Sequence, residues 1–184
     1  MINRKQQSSP QPINNEIRLG ENQFIVSKTD TQSHIIYINR RFMQISGFTE
    51  EELLNQPHNV IRHPDMPKGV FKLLWQTLKK GNEFIGYVKN ICKDGSFYWV
   101  YAHVTPDYDT KGELMGYYSV RRAPNRAAIP IIETLYAQML NAEKNKQGDQ
   151  ASSASIALLE DYLATEKKSY FQFVHQLDNA ETAA

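Results

Sequence analysis

The sequence contains a single cysteine among its 184 residues, which limits the covalent and metal chemistry available to it. Cys92 cannot form an intramolecular disulfide or a thiolate metal site on its own. An excess of charge is also missing, since 21 basic and 20 acidic side chains leave a net charge of +1. The overall electrostatic field therefore gives no reason to predict a nucleic-acid partner, and any ligand must be argued from a local site.

Long apolar runs are absent too. No run approaches the ~18 residues that a helix needs to cross a bilayer. The polar start MINRKQQSSPQPINN also lacks the apolar core of a signal peptide. We therefore expect a cytoplasmic location and no membrane span in this chain.

The common catalytic motifs are missing as well. The chain has no G-x-G-x-x-G before a helix, no G-x-x-x-x-G-K-[ST], no H-E-x-x-H and no G-x-S-x-G. His58 and His63 have no third metal ligand nearby, so they do not predict a zinc site. The sequence thus indicates a protein that is not an enzyme and holds no protein-bound metal ion.

Composition divides the chain into four segments. Residues 1–21 begin with a stretch rich in Gln, Asn, Ser and Pro, which predicts a flexible segment. Residues 22–122 form the predicted domain, and residues 123–143 are expected to carry a helix. Residues 144–184 combine the polar linker NKQGDQASSAS with an amphipathic helix that has apolar residues at 3–4 spacing. We favour packing of this helix on its own domain. A protein partner or a homodimer, through the N-terminal segment or the C-terminal helices, stays open.

The sequence of the domain predicts an α+β fold. QFIVSKT and SHIIYIN predict a hairpin, and Thr49 with Glu52 makes a capping box between two short helices. MPKGVFKLLWQTLKKG predicts a longer helix. Turn signals at Asp94-Gly95 and Lys111-Gly112 then separate three antiparallel strands. Five strands with helices massed on one face would enclose a space suited to a ligand.

Ten residues in the middle of the domain are unusually polar. HNVIRHPDMP holds two histidines, an arginine and an aspartate. Together with YINRRFMQISGFTEEEL, LWQTLKKG, GYVKNICKDGSFYWV and GYYSVR, this stretch resembles a PAS domain. More narrowly, it resembles the flavin-binding sensor domains of bacterial aerotaxis receptors. The resemblance covers roughly residues 22–140.

This resemblance implies a PAS fold, with a five-stranded antiparallel sheet, helices on one face and FAD held non-covalently between them. It also implies a non-catalytic redox or oxygen sensor in aerotaxis or chemotaxis signal transduction. Carried over by motif, the positions that would contact FAD or pass on its signal are Arg62, His63, Asp65, Trp75, Asn39 and Asn90. The family commonly has tryptophan where this chain has Phe84, which predicts weaker stacking or one hydrogen bond fewer.

The chemistry of the residues is compatible with a flavin. FAD needs an aromatic slot for its ring system, which Trp75, Phe84, Tyr98 and Trp99 can supply. Asn39 and Asn90 can donate to and accept from the polar ring edges. The guanidinium of Arg62 matches phosphate oxygens in pairs. His58 is a further candidate for cofactor binding.

Each candidate also has a structural alternative. Asp65 can cap the helix that follows it, and Asn39 can cap the helix RRFMQI. Trp75 can be a core residue unless a pocket adjoins it. For Asn90, strand alternation favours an inward side chain, because it shares the face of Val88 rather than that of Lys89.

Other functions stay open. A haem-based gas sensor needs one axial histidine, which His58, His63 or His103 could provide. A ligand-free PAS interaction module and, least favoured, a flavin-dependent enzyme are further alternatives. Cys92 lies in a strand beside a turn, which disfavours a light-driven cysteinyl-flavin adduct. For signalling, we expect Asn90 and its strand to pass a change in the flavin to the helix after Arg122 and to the C-terminal segment.

Overall fold

The computed structural model describes residues 10–180. Within them, one antiparallel sheet has the strand order β2-β1-β5-β4-β3. Its strands are β1 (Ile25–Thr29), β2 (Ile35–Ile38), β3 (Phe84–Ile91), β4 (Phe97–Tyr108) and β5 (Leu114–Arg122). The predicted hairpin, the three later strands and the α+β class are confirmed.

Four helical elements connect β2 to β3. They are α1 (Arg40–Ser46), α2 (Glu50–Leu53), a 3₁₀ turn (His58–Ile61) and α3 (Lys68–Lys79). The capping box is present, because Thr49 accepts from the Glu52 amide while the Glu52 carboxylate accepts from the Thr49 amide. As predicted, α3 is the long helix of the domain, and it buries Val70, Leu74 and Leu78 on one stripe.

The C-terminal region forms α4 (Ile129–Glu143), α5 (Gly148–Thr165) and α6 (Tyr170–Asn179). Residues 148–155 of the predicted polar linker are therefore helical. The cause is tertiary packing, since the Gly69 amide of α3 donates to Ser155 Oγ at 3.0 Å. A Cβ on Gly69 would lie 2.3 Å from that oxygen. Small residues on both helices allow this close approach, which outweighs the weak helix propensity of serine.

The C-terminal helices pack on their own domain, as favoured from the sequence. Tyr136 of α4 donates to the carbonyl of Tyr87 in β3 at 2.7 Å, and its ring lies 6.2 Å from that of Trp99. Helix α5 contacts both α3 and α4, and α6 contacts β3. The predicted single helix is interrupted between Thr165 and Tyr170.

Part of the predicted flexible N-terminal segment is attached to the sheet. The Ile17 amide donates to the Phe97 carbonyl at 2.7 Å, and the Phe97 amide donates to Asn15 at 2.9 Å. The Ile13 amide donates to the carbonyl of Gly95, whose φ of +92° serves the β3–β4 turn. Residues 1–9 of that segment lie outside the described residues. Over residues 10–180, no helix is both long and apolar enough to cross a membrane.

Candidate cofactor site

A cavity of about 360 Å³ lies between one face of the sheet and the segment from the 3₁₀ turn to α3. Strands β1, β3, β4 and β5 contribute alternate residues to it, as expected because side chains on a strand point to opposite faces. The volume falls within the range of small-molecule pockets. The enclosed space expected from the sequence is therefore present.

Most of the cavity wall is apolar or aromatic. Helix α3 supplies Phe71, Leu74 and Trp75, and the sheet supplies residues that include Val88 and Tyr117. The ring of Trp75 meets that of Tyr117 edge to face, with 5.2 Å between centroids. A pocket adjoins Trp75, so this side chain can contact a ligand as well as pack in the core.

A buried arginine forms one polar wall of the cavity. Arg121 of β5 is only 2% exposed, and its Nε donates to Ser119 Oγ at 3.1 Å. Its Nη2 donates to Ser27 Oγ, and its guanidinium carbon lies 4.9 Å from the ring centroid of Phe42. The ion pairs found within residues 10–180 do not include Arg121. Burial lowers its pKa to about 10, so the cavity holds a positive charge at neutral pH.

His58 lies beside this arginine and lines the same cavity. Its Nε2 is 3.3 Å from Arg121 Nη2 and 3.2 Å from Ser27 Oγ. Burial and the charge of Arg121 lower the pKa of His58 to about 3. The imidazole is therefore neutral at physiological pH and presents a lone pair to the guanidinium.

Two hydrogen-bond donors in the cavity wall have no partner among the described residues. They are Asn90 Nδ2 on β3 and Arg121 Nη1 on β5. Asn90 is 3% exposed and faces the same side as Val88, as predicted. Its neighbour across the β3–β4 pair is Tyr98, whose buried hydroxyl lies near enough to the Asn90 amide to interact with it, although no hydrogen bond of good geometry joins the two groups. Tyr98 does not line the cavity, and burial raises its pKa.

Arg62 follows the 3₁₀ turn and also lines the cavity. Its Nη2 donates to the carbonyl of Met66 at 2.6 Å, and its guanidinium carbon lies 4.3 Å from the Phe71 ring centroid. Burial lowers its pKa, while the charge of Glu143 acts in the opposite direction. One edge of the guanidinium is thus committed to the protein, and the rest is available to a ligand.

His63 and Asp65 stand outside the cavity lining and hold the edge strand β3 instead. The His63 amide approaches the Lys89 carbonyl at 3.4 Å, and the Lys89 ammonium donates to Asp65 at 2.6 Å. His63 Nδ1 accepts from the Asp65 amide at 3.1 Å. The alternative role of Asp65 as a helix cap is not found, since α3 has no side-chain cap. Much of the polarity of this stretch therefore serves to attach the loop to β3.

Asn39 and Phe84 also lie away from the cavity lining. Asn39 caps α1, with its Oδ1 accepting from the amides of Phe42 and Val26, both at 3.1 Å. This confirms the structural alternative. Phe84 is 1% exposed and stacks on Tyr170 of α6, with 5.7 Å between centroids and 19° between planes. Phe84 thus contacts the C-terminal helix in this structure, and its contact with a ligand stays a prediction.

The remaining candidates have other partners. Trp99 packs against Tyr136 on the face of the sheet that α4 covers. His103 pairs with Glu83, with 2.7 Å between Nε2 and Oε2. Cys92 is buried, and its thiol donates to the Ile45 carbonyl at 3.2 Å, while burial raises its pKa to about 12. None of these three side chains lines the cavity.

The main functional residue missed from the sequence is Arg121. Strand periodicity groups it with Tyr117 and Ser119, which also line the cavity. The sequence SVRR offers two adjacent arginines, however, and only the orientation of the sheet decides which of them faces inward. Ser27 on β1, which also lines the cavity, was missed as well.

The five-stranded antiparallel sheet, with helices that enclose a partly polar cavity on one of its faces, has the architecture of a PAS-type domain. Residues 35–121 match the family described as the PAS fold. This part of the chain therefore has the PAS fold. The fold is shared by a solved light-oxygen-voltage domain studied with a flavin analogue, at a TM-score of 0.53 and 19% identity. That match covers 62% of this chain and 87% of the solved chain.

Two relatives indicate the closer affiliation. The chain is 41% identical to the aerotaxis receptor of Escherichia coli over 140 residues, which cover 76% of this chain and 27% of the receptor. It is 32% identical to the nitrogen fixation regulatory protein of Klebsiella oxytoca over 97 residues, covering 53% of this chain and 20% of that protein. The chain thus spans about a quarter of the first relative and a fifth of the second.

Proposed function

We propose that this PAS domain binds FAD non-covalently in the cavity and signals redox or oxygen state without catalytic turnover. The main support is the pair of unpartnered donors, Asn90 Nδ2 and Arg121 Nη1, in the wall of one cavity. A buried donor without an acceptor costs about 1–3 kcal/mol. A ligand that offers acceptors to both donors would relieve this cost.

The cavity fits the chemistry of a flavin ring system. The ring needs flat apolar surface, which Phe71, Trp75 and Tyr117 supply, and its polar edge needs donors, which Asn90 and Arg121 supply. Arg62 offers further N–H groups for an anionic part of the ligand. A bound flavin would supply a reversible change in charge and protonation, to which amide and guanidinium groups respond by exchanging hydrogen bonds.

The relatives support the sensory part of the proposal. One is named as a receptor for aerotaxis and another as a regulator of nitrogen fixation. We infer a signalling role through a protein partner and a cytoplasmic location, where the single cysteine would stay reduced.

A haem-based sensor is the alternative that the cavity supports less well. Of His58, His63 and His103, only His58 lines the cavity. Its Nε2 already contacts Ser27 and Arg121. Iron binding at this nitrogen would require the guanidinium to give up its acceptor and lie beside a cationic metal centre, which is electrostatically unfavourable. A ligand-free module would leave both cavity donors without acceptors.

Absorption spectroscopy of the purified protein tests the proposal. After incubation with FAD and removal of unbound ligand, the protein should show the two visible bands of oxidised flavin. Asn90→Leu should weaken FAD affinity about fivefold, since one neutral hydrogen bond is worth about 1 kcal/mol. Asn82→Leu, at an exposed position after α3, should leave the affinity unchanged.

Two outcomes would contradict the proposal. One is a sharp Soret band after parallel incubation with hemin, with no retention of flavin. The other is protein that retains neither ligand, which favours the interaction module. Turnover of an electron donor by the flavin-loaded protein would contradict only the non-catalytic part of the proposal and would favour an enzyme.

A further inference from the structure

Two adjacent arginines of β5 face opposite sides of the sheet. Arg121 lines the cavity, while Arg122 donates through Nη2 to Asp178 Oδ2 of α6. The guanidinium carbon of Arg122 also lies 4.3 Å from the ring centroid of Tyr101 on the same outer face. One peptide unit of β5 therefore connects a group in the cavity wall to a group that holds the C-terminal helix.

A small set of polar contacts holds the C-terminal end of α6. Besides the Arg122–Asp178 pair, Asn125 Nδ2 donates to the carbonyls of Leu177 at 2.9 Å and Ala180 at 2.8 Å. These bonds satisfy carbonyls that a helix end otherwise leaves open. Arg122 is the last residue of β5, and Asn125 lies three residues after it. A shift of this segment would thus act on the end of α6.

The Asp178 carboxylate makes this contact sensitive to displacement. Its side chain is only 10% exposed, and its Oδ1 has no hydrogen-bond partner among the described residues. Arg122 is its ion-pair partner. If Arg122 moves away, the carboxylate remains buried without a counter-charge, which is strongly unfavourable. Release of the end of α6 into water then becomes the favoured alternative, giving the helix two discrete arrangements.

We propose that the Arg121–Arg122 pair couples the occupant of the cavity to the docking of α6. A more negatively charged occupant draws the guanidinium of Arg121 toward the cavity, the end of β5 follows, and Arg122 loses its alignment with Asp178. This inference rests on the proposed function, because it takes the flavin as the occupant. Its output is a change in α6, which would expose the buried face of Phe173 and Val174 to a partner.

Helix α5 provides an internal reference for this change. It is held to α3 by a separate contact, in which Glu143 Oε1 accepts from the Gly69 amide at 3.1 Å and from Ser155 Oγ at 2.6 Å. Arg122 takes no part in that contact. Tyr162 near the end of α5 contacts Phe173 of α6, with 5.4 Å between ring centroids. The coupling should therefore alter α6 and leave the first half of α5 unchanged.

Amide hydrogen exchange of the FAD-loaded chain tests the coupling. We expect several-fold faster exchange in residues 170–180 after chemical reduction of the flavin, with no change in residues 150–156. In Arg122→Gln and in Asp178→Asn, exchange in α6 should be fast in both states. Arg126→Gln removes an arginine that pairs with Glu16 instead of α6, so it should keep the wild-type response.

The absorption spectrum, recorded first, separates the two proposals. Failure to retain flavin overturns the proposed function. If flavin binds and is reduced but α6 exchanges equally in both states, or more slowly on reduction, the coupling is wrong and the flavin proposal stands. A redox response that persists in Arg122→Gln also overturns the coupling.

Discussion

His58 accepts a hydrogen bond from Arg121 inside the cavity, with 3.3 Å between Nε2 and Nη2. A guanidinium can only donate, so the imidazole must keep a lone pair and stay neutral. Burial and this cation lower the pKa of His58 to about 3. The pair therefore gives the cavity one positive charge together with a neutral histidine.

The depressed pKa of His58 predicts a loss of stability in mild acid. Above pH 6.5 the histidine is neutral in both the folded and the unfolded chain, so its contribution is constant. Below pH 6.5 the unfolded chain binds a proton that the folded chain does not, and the stability falls as the pH falls toward 3. Between pH 7 and pH 5 the loss from His58 should be about 2 kcal/mol in urea unfolding of the ligand-free protein.

The histidine can be isolated by substitution. His58→Gln should remove about this part of the acid-dependent loss, whereas His34→Gln, at a surface pair with Asp30, should retain it. The burial of His63 lowers its pKa as well, so some acid dependence should remain in both variants. Equal losses between pH 7 and pH 5 in wild type and His58→Gln would show that His58 does not titrate in this way.

Arg121→Met should have opposite effects on stability and on binding. In the ligand-free protein, the substitution removes a buried charge that lacks a carboxylate, and we expect a neutral or slightly higher free energy of unfolding. In the loaded protein it removes a charged donor worth about 1.5–3 kcal/mol, so FAD should bind about 10- to 100-fold more weakly. Urea unfolding and flavin titration measure the two effects. A large loss of stability with unchanged affinity would assign Arg121 to the fold alone.

The difference between Arg121 and Arg122 shows where sequence reasoning stops. Periodicity predicted the strands and placed Asn90 on the same face as Val88. Because that face is more apolar than the face of Lys89, it was the one expected to point inward. In SVRR no such contrast exists, because both faces of the strand carry an arginine. The sequence alone does not show which of the two arginines faces the cavity. Tertiary packing also formed the first half of α5 from a serine-rich stretch, through contact with Gly69. Local propensity contains no information about that contact.

The polar stretch HNVIRHPDMP shows a second limit of prediction from sequence. Its residue types suit an anion site, and Arg62 does reach the cavity. The pairing of Asp65 with Lys89 depends on a loop lying along the free edge of β3, which the sequence around either residue does not reveal. Resemblance identified the stretch as significant, but the structure distinguishes His58 and Arg62, which line the cavity, from His63 and Asp65, which hold β3.

The Asp65–Lys89 pair makes a prediction about stability rather than binding. The Lys89 side chain is 10% exposed, and its ammonium lies 4.2 Å from the Phe97 ring centroid. Asp65→Asn leaves this cation without its carboxylate and should lower the free energy of unfolding by about 1–2 kcal/mol. Adding Lys89→Met should restore most of the loss. FAD affinity should stay within about twofold of wild type, since a structural pair is not a ligand contact. A tenfold change in affinity for Asp65→Asn would instead place its carboxylate in the ligand site.

Phe84→Trp separates the role implied by resemblance from the position seen in the structure. If residue 84 stacked on the ligand, the tryptophan common in the family would raise FAD affinity. In the structure, however, Phe84 stacks on Tyr170, and a Cβ on neighbouring Gly86 would already lie 2.9 Å from the Phe84 ring and 2.6 Å from the Tyr170 oxygen. Overpacking of this kind costs about 1–3 kcal/mol. We therefore expect unchanged FAD affinity, a lower free energy of unfolding and faster amide exchange in α6. Phe84→Leu should also loosen α6, because it removes the stacked ring, whereas tighter FAD binding by Phe84→Trp would mean that residue 84 reaches the ligand.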